Sequence, residues 1–533
     1  MNLHCPSVIA HWLVVRLLAL GLSQIDTAMA SRAAVAALIM LLTGCASLPN
    51  HVQRPASMAR ADVADTRLAR VAAASTPPEN VHLSGLRLLP EANQAFDARI
   101  ALARAAQRTI DAQYYLIAFD SSGLQFLHEL RDAAERGVRV RLLVDDLHTA
   151  GQDALFASLA ARNNVEVRLF NPLPVRDGSL ASRVAFSIHE FTRINRRMHN
   201  KLFIADNSFA ITGGRNIADE YFGRAAPANF IDMDLLSSGP AVRELSAVFD
   251  TYWNSEYVYP IDSLVAQRVG AKLFDDWVNP AGPASAFEST SVAAQLEAGH
   301  IELQFGRVQV LADLPNKVDD RSGADGVSMR GNLELIRAAR SEVLIASPYF
   351  VPGKNGLAAL KEAVGYNARL SVITNSLATT DEPLVHFGYA RYRSALIKLG
   401  AALYELMPGA ERGHDAASRS SKSLGRLHAK LAVVDRRWLY VGSMNMDRRS
   451  AHCNTELGVI IDSPEIAGAM ADSLQRELLA RNYKLRVAPE SSRIEWVAGT
   501  DERQVVQGTE PEISAWRDLW LRMTLSVVGE ELL

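Results

Sequence analysis

The sequence predicts an α/β fold in two similar halves, packed about a pseudo-twofold axis with one functional site at their interface. Three observations predict it. First, one set of residues recurs at one spacing, H-x-K-x(4)-D-x(6)-G-[GS]-x-N: His199, Lys201, Asp206, Gly213, Gly214 and Asn216, then His428, Lys430, Asp435, Gly442, Ser443 and Asn445. Second, a strand–helix–strand pattern precedes each copy, in TIDAQYYLIAFDSSGLQFLHELRDAAERGVRVRLLVDD and again in EVLIASPYFVPGKNGLAALKEAVGYNARLSVITNS. Asp146 and Asn375 each stand 53 residues before their histidine, and strands alternating with helices argue for largely parallel sheets. Third, 533 residues suffice for two sizeable cores.

Taken in order, residues 1–44 read as a lipoprotein signal peptide. The ten apolar residues Ala33 to Leu42 are too few for the roughly 20 that span a bilayer. They end in Leu42-Thr43-Gly44-Cys45, which resembles a bacterial lipobox; cleavage before Cys45 would leave that cysteine for diacylglyceryl modification. Met29, with Arg32 as the positive region, is the expected true start in place of Met1. Residues 45–83 read as a lipidated linker. The expected location is the periplasmic side of the cell envelope, and Ala46 in place of Asp favours the outer membrane over the inner. Of the three cysteines, Cys5, Cys45 and Cys453, only the last stays unmodified in the mature chain, so no internal disulfide forms. Cys453 is expected to be a buried structural thiol.

Residues 84–260 form the first domain and 331–485 the second. Each motif reads as a hairpin: LFIA and FAIT around a turn at Asp206-Asn207, LAVV and WLYV around Asp435-Arg436. Residues two apart on a strand share a face, so each His and Lys project together, and the Asn joins them from the turn beyond. Residues 261–330, with NPAGP and DDRSG turns, read as a connector. The Gly-, Ser- and charge-rich stretch from Pro408 to Gly425 is a lid or a solvated loop, with His414 a bystander. Residues 486–533 read as a hairpin and a helix whose Trp516, Trp520, Met523 and Val527 share one face, as in a docked core helix rather than a membrane insert.

Two such sets facing each other surround one phosphate with two lysines and two asparagine amides, which stabilise a five-coordinate phosphorus by fixed charge. One imidazole attacks phosphorus while the other protonates the leaving alkoxide. The pattern is the HxKxxxxD signature, and the chain resembles the phospholipase D superfamily. That resemblance implies two phospholipase D-like α/β/α sandwich domains. It implies a catalytic set of His199, Lys201, Asp206, His428, Lys430 and Asp435, with Asn216 and Asn445 on the substrate phosphate. It further implies a carboxylate downstream of each motif that orients the histidine: Asp232 in the first half, with Asp234 as the alternative, and Glu456 in the second. His199 is the expected nucleophile and His428 the acid/base. No cofactor is implied, and no metal either, because the lysines supply the cationic clamp and no zinc or Mg²⁺ ligand spacing is present.

Charge narrows the substrate. Removing residues 1–44, with Arg16, Arg32 and Asp26, from 56 basic and 59 acidic residues leaves the mature chain at −4. With no basic tail or arginine stripe, nucleic acid is not the expected partner. Arg193, Arg196 and Arg197 either steer an anionic headgroup or form a solvated turn. From about Ser84 onward the runs DAQYYLIAFD, MHNKLFIAD, GGRNIADEYFG, LHAKLAVVD, GSMNMDRRS and NTELG are similar to bacterial cardiolipin synthases, the C type above all. This implies transphosphatidylation of membrane phospholipids; the lipobox at Cys45, where many family members have transmembrane helices or a different N-terminus, is a departure that would supply a lipid anchor. Phosphatidylglycerol would be the acceptor, phosphatidylglycerol or phosphatidylethanolamine the donor, and the need for an accessory protein is left open. The competing readings are a hydrolytic phospholipase D, a phosphodiesterase or nuclease, and a lipoprotein binding module with a dead site.

Overall fold

The protein is described here from a computed structural model covering residues 47–265, 269–277, 291–320, 323–409, 424–489, 491, 493–499 and 504–513. The signal peptide, Cys45, most of the Pro408–Gly425 loop with His414, and the C-terminal apolar stripe lie outside the described residues. Among the described residues no helix is long and apolar enough to cross a membrane.

The first half contributes β1 (Ser84–Leu89), β2 (Thr109–Tyr114), β3 (Arg139–Asp145), β4 (Val165–Phe170), β5 (Leu202–Ala205), β6 (Phe209–Gly213), β7 (Ala228–Ile231), β8 (Asp234–Ser238) and β9 (Val258–Pro260). Apart from β7 they form one sheet in the order β1-β8-β6-β5-β2-β3-β4-β9. The second half contributes β10 (Gln304–Ala312), β11 (Glu342–Ala346), β12 (Arg369–Asn375), β13 (Ala402–Leu406), β14 (Leu424–Leu427), β15 (Leu431–Val434), β16 (Trp438–Gly442), β17 (Leu457–Asp462) and β18 (Asn482–Val487). The same order recurs as β10-β17-β16-β15-β11-β12-β13-β18, extended by β19 (Ile494–Ala498) and β20 (Val505–Gln507). This is the duplication that the motifs announced. Within these two sheets only β2-β3-β4 and β11-β12-β13 run parallel, so the expectation of largely parallel sheets is corrected to mixed sheets. The reason is the motif itself: a two-residue turn can link only antiparallel strands.

Period-two alternation distributes β5 between two layers. Phe203 and Ala205 enter the core beneath helices Ala92–Ala105 and Ser121–Glu135, while Leu202 and Ile204 face helix Pro240–Trp253. This second layer and one further cluster mix the halves. Leu86, Met233 and Leu235 pack with Leu344, Val433 and Val441, and Met198 and Phe170 pack with Leu457. The halves therefore share a core.

Two domain boundaries shift. The connector 261–330 contains β10, which pairs with both β17 and β1 and joins the two sheets through Ser84–Gly306. The linker 45–83 is no free tether from residue 54 onward. The Arg141, Arg168 and Arg139 side chains donate to the carbonyls of Ser57, Pro55 and Met58, and Leu68 and Val71 enter the first core. Extended backbone with exposed polar groups read as linker because these partners lie far away in sequence.

Both motif turns form as expected, with positive φ at Asp206 and Asn207 and at Asp435 and Arg436. The two motif aspartates are corrected here from catalytic to structural. Asp206 accepts the backbone N–H groups of Gln107, Arg108 and Thr109, and Asp435 those of Arg340, Ser341 and Glu342. Each carboxylate thus ties its hairpin turn to the start of β2 or β11, at the opposite end of the hairpin strand from the histidine. Asp206→Ala would strand three donors and should cost on the order of 3 kcal/mol in denaturant unfolding. Unchanged stability with lost turnover would return this residue to the chemistry.

Candidate active site

The histidines are placed by strand pairing across the halves. Thr455 N–H donates to the Arg197 carbonyl and His199 N–H donates back to the Thr455 carbonyl, both at 2.9 Å. In the mirror position β14 pairs in parallel with β7, and His428 N–H donates to the Ile231 carbonyl at 2.8 Å. Each histidine is therefore threaded beside the residue that precedes the other half's carboxylate.

The carboxylates consequently cross. Glu456 Oε2 lies 2.9 Å from His199 Nδ1, and Asp232 Oδ2 lies 2.6 Å from His428 Nδ1. Assigning each carboxylate to the histidine of its own half is thus overturned, although both were the right residues. Asp234, the alternative to Asp232, is instead paired with Arg99 and Arg215. The Gly/Ser difference in the motif follows from the same geometry. A Cβ at Gly214 would sit 2.1 Å from Asp232 Oδ1, whereas Ser443 has room and its hydroxyl donates to Glu456.

A second pair of residues holds each histidine segment at its root. Asp145 Oδ2 accepts Met198 N–H at 2.8 Å, and Asn375 Oδ1 accepts Leu427 N–H at 2.8 Å. Asn375 therefore corresponds to Asp145 and not to Asp146, so the equal offset noticed in the sequence is one residue out of register. Asp146 binds Arg176 and Arg183 instead.

Lys201 and Lys430 donate to the carbonyls of His199 and His428, which holds each ammonium beside its ring. Asn216 donates to the Tyr221 hydroxyl at 2.9 Å, while its Oδ1, like that of Asn445, is buried without a donor among the described residues. Rotating either amide end for end sacrifices nothing on the Oδ1 side and presents NH₂ to a phosphate. The walls were not legible. Tyr115 stands 5.1 Å from the His199 ring, and Tyr221 and Phe230 stand 5.1 and 4.7 Å from the His428 ring. The signal available was only that aromatics flank the motif runs. Arg193, Arg196 and Arg197 do not face the site as headgroup cations. Arg197 binds buried Asp145, Arg196 binds the Lys317 and Asp320 carbonyls, and Arg193 binds Asn171 and Glu190. Cys453 is half-buried, not the fully buried thiol expected.

Electrostatics separate the two histidines. Burial, reinforced by Lys201, Lys430 and His428, holds His199 well below its ordinary value. Burial also pushes its partner Glu456 up to about 7, against the pull of Lys201 and Ser443. Asp232 behaves oppositely: burial would raise it, but His428, Lys430 and Arg215 outweigh that and hold it well below the usual carboxylate range. His428, lowered by burial and Lys430, thus keeps an ionised carboxylate that raises its proton affinity. A carboxylate accepts only, so Nδ1 of His428 carries hydrogen and Nε2 is left for chemistry. Burial lowers Lys201 well below its ordinary value and Lys430 to about 8, so an entering phosphodiester supplies the charge that keeps both protonated.

A family model described as "Cardiolipin synthase, PLD-like domain" matches residues 100–253 and 333–478, one match per half. Cardiolipin synthase C of Escherichia coli (strain K12) is 34% identical over 461 residues, covering 84% of this chain and 96% of that protein. A cardiolipin synthase of Geobacillus kaustophilus is 26% identical, covering 76% of this chain and 71% of that one. The crystal structure of phosphatidylserine synthase from Haemophilus influenzae Rd KW20 superposes with a TM-score of 0.52 over 76% of this chain and 90% of that one. At 14% identity that likeness shows the fold alone.

The lysine shift makes a pH prediction. Lys430 is charged below about 8 and neutral above it, so kcat/KM should fall on the alkaline side with an apparent pKa near that value. Lys430→Arg should lower the maximum and remove this limb, since guanidinium stays protonated. A limb that stays in place in the variant would assign it to another group.

Proposed function

The chain belongs to the phospholipase D superfamily, in the family of cardiolipin synthases with PLD-like domains, and we propose that it is a phospholipid transphosphatidylase that makes cardiolipin with phosphatidylglycerol as acceptor. The observation that carries this reading is the crossed His199–Glu456 and His428–Asp232 arrangement around one cationic, asparagine-lined site. It offers one neutral imidazole and one with a charged carboxylate behind it, the division of labour that double displacement needs.

In the proposed reaction Nε2 of His199 attacks the donor phosphorus. The P–O bond to the headgroup breaks as Nε2–H of His428 gives its proton to the leaving alkoxide. Lys201, Lys430 and the two asparagine amides hold the equatorial oxygens. His428, now neutral, takes the proton of the acceptor hydroxyl, whose oxygen attacks phosphorus and breaks the P–N bond, restoring His199. Depressed His199 basicity favours its neutral, nucleophilic form, and the ionised Asp232 favours proton storage on His428. A hydrolytic phospholipase D differs only in taking water as acceptor.

Purified protein incubated with labelled phosphatidylglycerol should yield cardiolipin and glycerol, in the presence of chelator as in its absence. Phosphatidic acid as the main product would select the hydrolase, and activity abolished by chelator and restored by one divalent ion would overturn the lysine clamp. With a donor whose leaving group needs no proton, His428→Ala should accumulate an acid-labile phospho-adduct on His199. Adduct on His428 in the His199→Ala protein would reverse the roles.

The reading extends to location: acylated Cys45 would hold the enzyme to an envelope membrane on the periplasmic side. Cys45→Ser should then leave unprocessed precursor that fractionates differently, and a normal mass and distribution for that variant would contradict the anchor.

A further inference from the structure

We propose that the insert between β4 and β5, residues 171–195, is a bilayer-docking element that seats an apolar tip in a phospholipid surface beside the active site. The insert consists of the helix Leu180–Phe186, a short turn Ile188–Glu190 and the helix Phe191–Ile194, and it leads directly into Met198 and His199. Phe186 and Ile188 at its tip are 51% and 50% exposed, with Ala181 and Ala185 exposed and Val184 half-buried beside them. Its cations are turned inward. Arg176 and Arg183 bind Asp146, and Arg193, Arg196 and Arg197 are engaged as described above. Asp177 and His189 remain as its exposed titratable side chains, with His189 3.6 Å from Glu190. An apolar tip whose arginines are already paired enters lipid without desolvating a free guanidinium.

Two features make a lipid surface the occupant. Asn171, at the root of the insert, donates its N–H to the Tyr257 carbonyl at 2.8 Å, and adjacent Phe170 pairs with Val258. Arg54 donates to the Val258 carbonyl at 2.6 Å, so the N-terminal strap begins at this root. The sequence upstream of it carries the apolar run Ala33–Leu42 and Cys45. Moreover, the second half places Leu384, 43% exposed, on the helix Pro383–Ala390 that follows β12, at the corresponding end of its own sheet. Both halves thus offer apolar side chains at the strand ends that hold the histidines. The proposal rests on the phospholipid reading of the site, because only an amphiphilic substrate has to be drawn from a bilayer.

The test uses the full chain in vesicles of phosphatidylglycerol and phosphatidylethanolamine. An environment-sensitive fluorophore on Ile188→Cys, with Cys5, Cys45 and Cys453 all replaced by serine, should emit as in hydrocarbon and be quenched by brominated acyl chains. The double variant Phe186→Ser/Ile188→Ser should turn over vesicle phospholipid about 10-fold more slowly or worse, with turnover of a soluble short-chain phospholipid unchanged. A label that stays water-exposed on vesicles overturns the proposal. So does one shielded in detergent in proportion to protein concentration, which would make the occupant a second copy. The label reports whether or not the protein proves to be a synthase, so failure of the functional reading and failure of the docking reading remain distinguishable.

Discussion

The structure depends on two hydrogen bonds that cross its pseudo-twofold axis, Glu456 to His199 and Asp232 to His428. Neither half can orient its own histidine. Each imidazole takes its tautomer from a carboxylate that belongs to the other half, and that carboxylate is delivered by strand pairing between the halves. The shared core around Met233, Val433, Met198 and Leu457 follows from this requirement, because ångström-scale placement of the rings needs a rigid interface.

Duplication supplies symmetry, and chemistry needs its opposite. At the site the symmetry is broken by residue differences between equivalent positions: Asp232 against Glu456, Gly214 against Ser443, Asp145 against Asn375. The longer Glu456 leaves room for the Ser443 and Ser450 hydroxyls, and burial then carries it to about 7. The shorter Asp232 packs on Gly214 and stays ionised. Two histidines with different carboxylates behind them thus stand in one repeated motif: a carboxylate held low behind His428 and one pushed up to about 7 behind His199.

Much of this was legible in the sequence, and the failures have physical causes. The hairpins, their turns and the placing of the lysines and asparagines beside the histidines could be read because a strand's period and a turn's φ requirement are local, whereas the two carboxylates came from the family resemblance. Which carboxylate serves which histidine could not, because that is fixed by pairing between residues more than 190 apart. Asp206 and Asp435 were misread as catalytic because a conserved-looking spacing records a structural bond as faithfully as a catalytic one. Residues 54–71 read as linker because extended chain looks the same whether it is tethered or free. Of the three arginines before His199, Arg196 and Arg197 read as open cations because their partners, distant carbonyls and Asp145, lie elsewhere in the chain.

The crossed pairing is most directly tested by ¹⁵N spectra of histidine-labelled protein, with the ring signals assigned through His199→Gln and His428→Gln. The account predicts that Asp232→Asn shifts the Nδ1 resonance of His428 and leaves His199 in place, while Glu456→Gln does the reverse. Shifts of His199 in Asp232→Asn and of His428 in Glu456→Gln would mean that each half orients its own histidine, and would contradict the account at its centre.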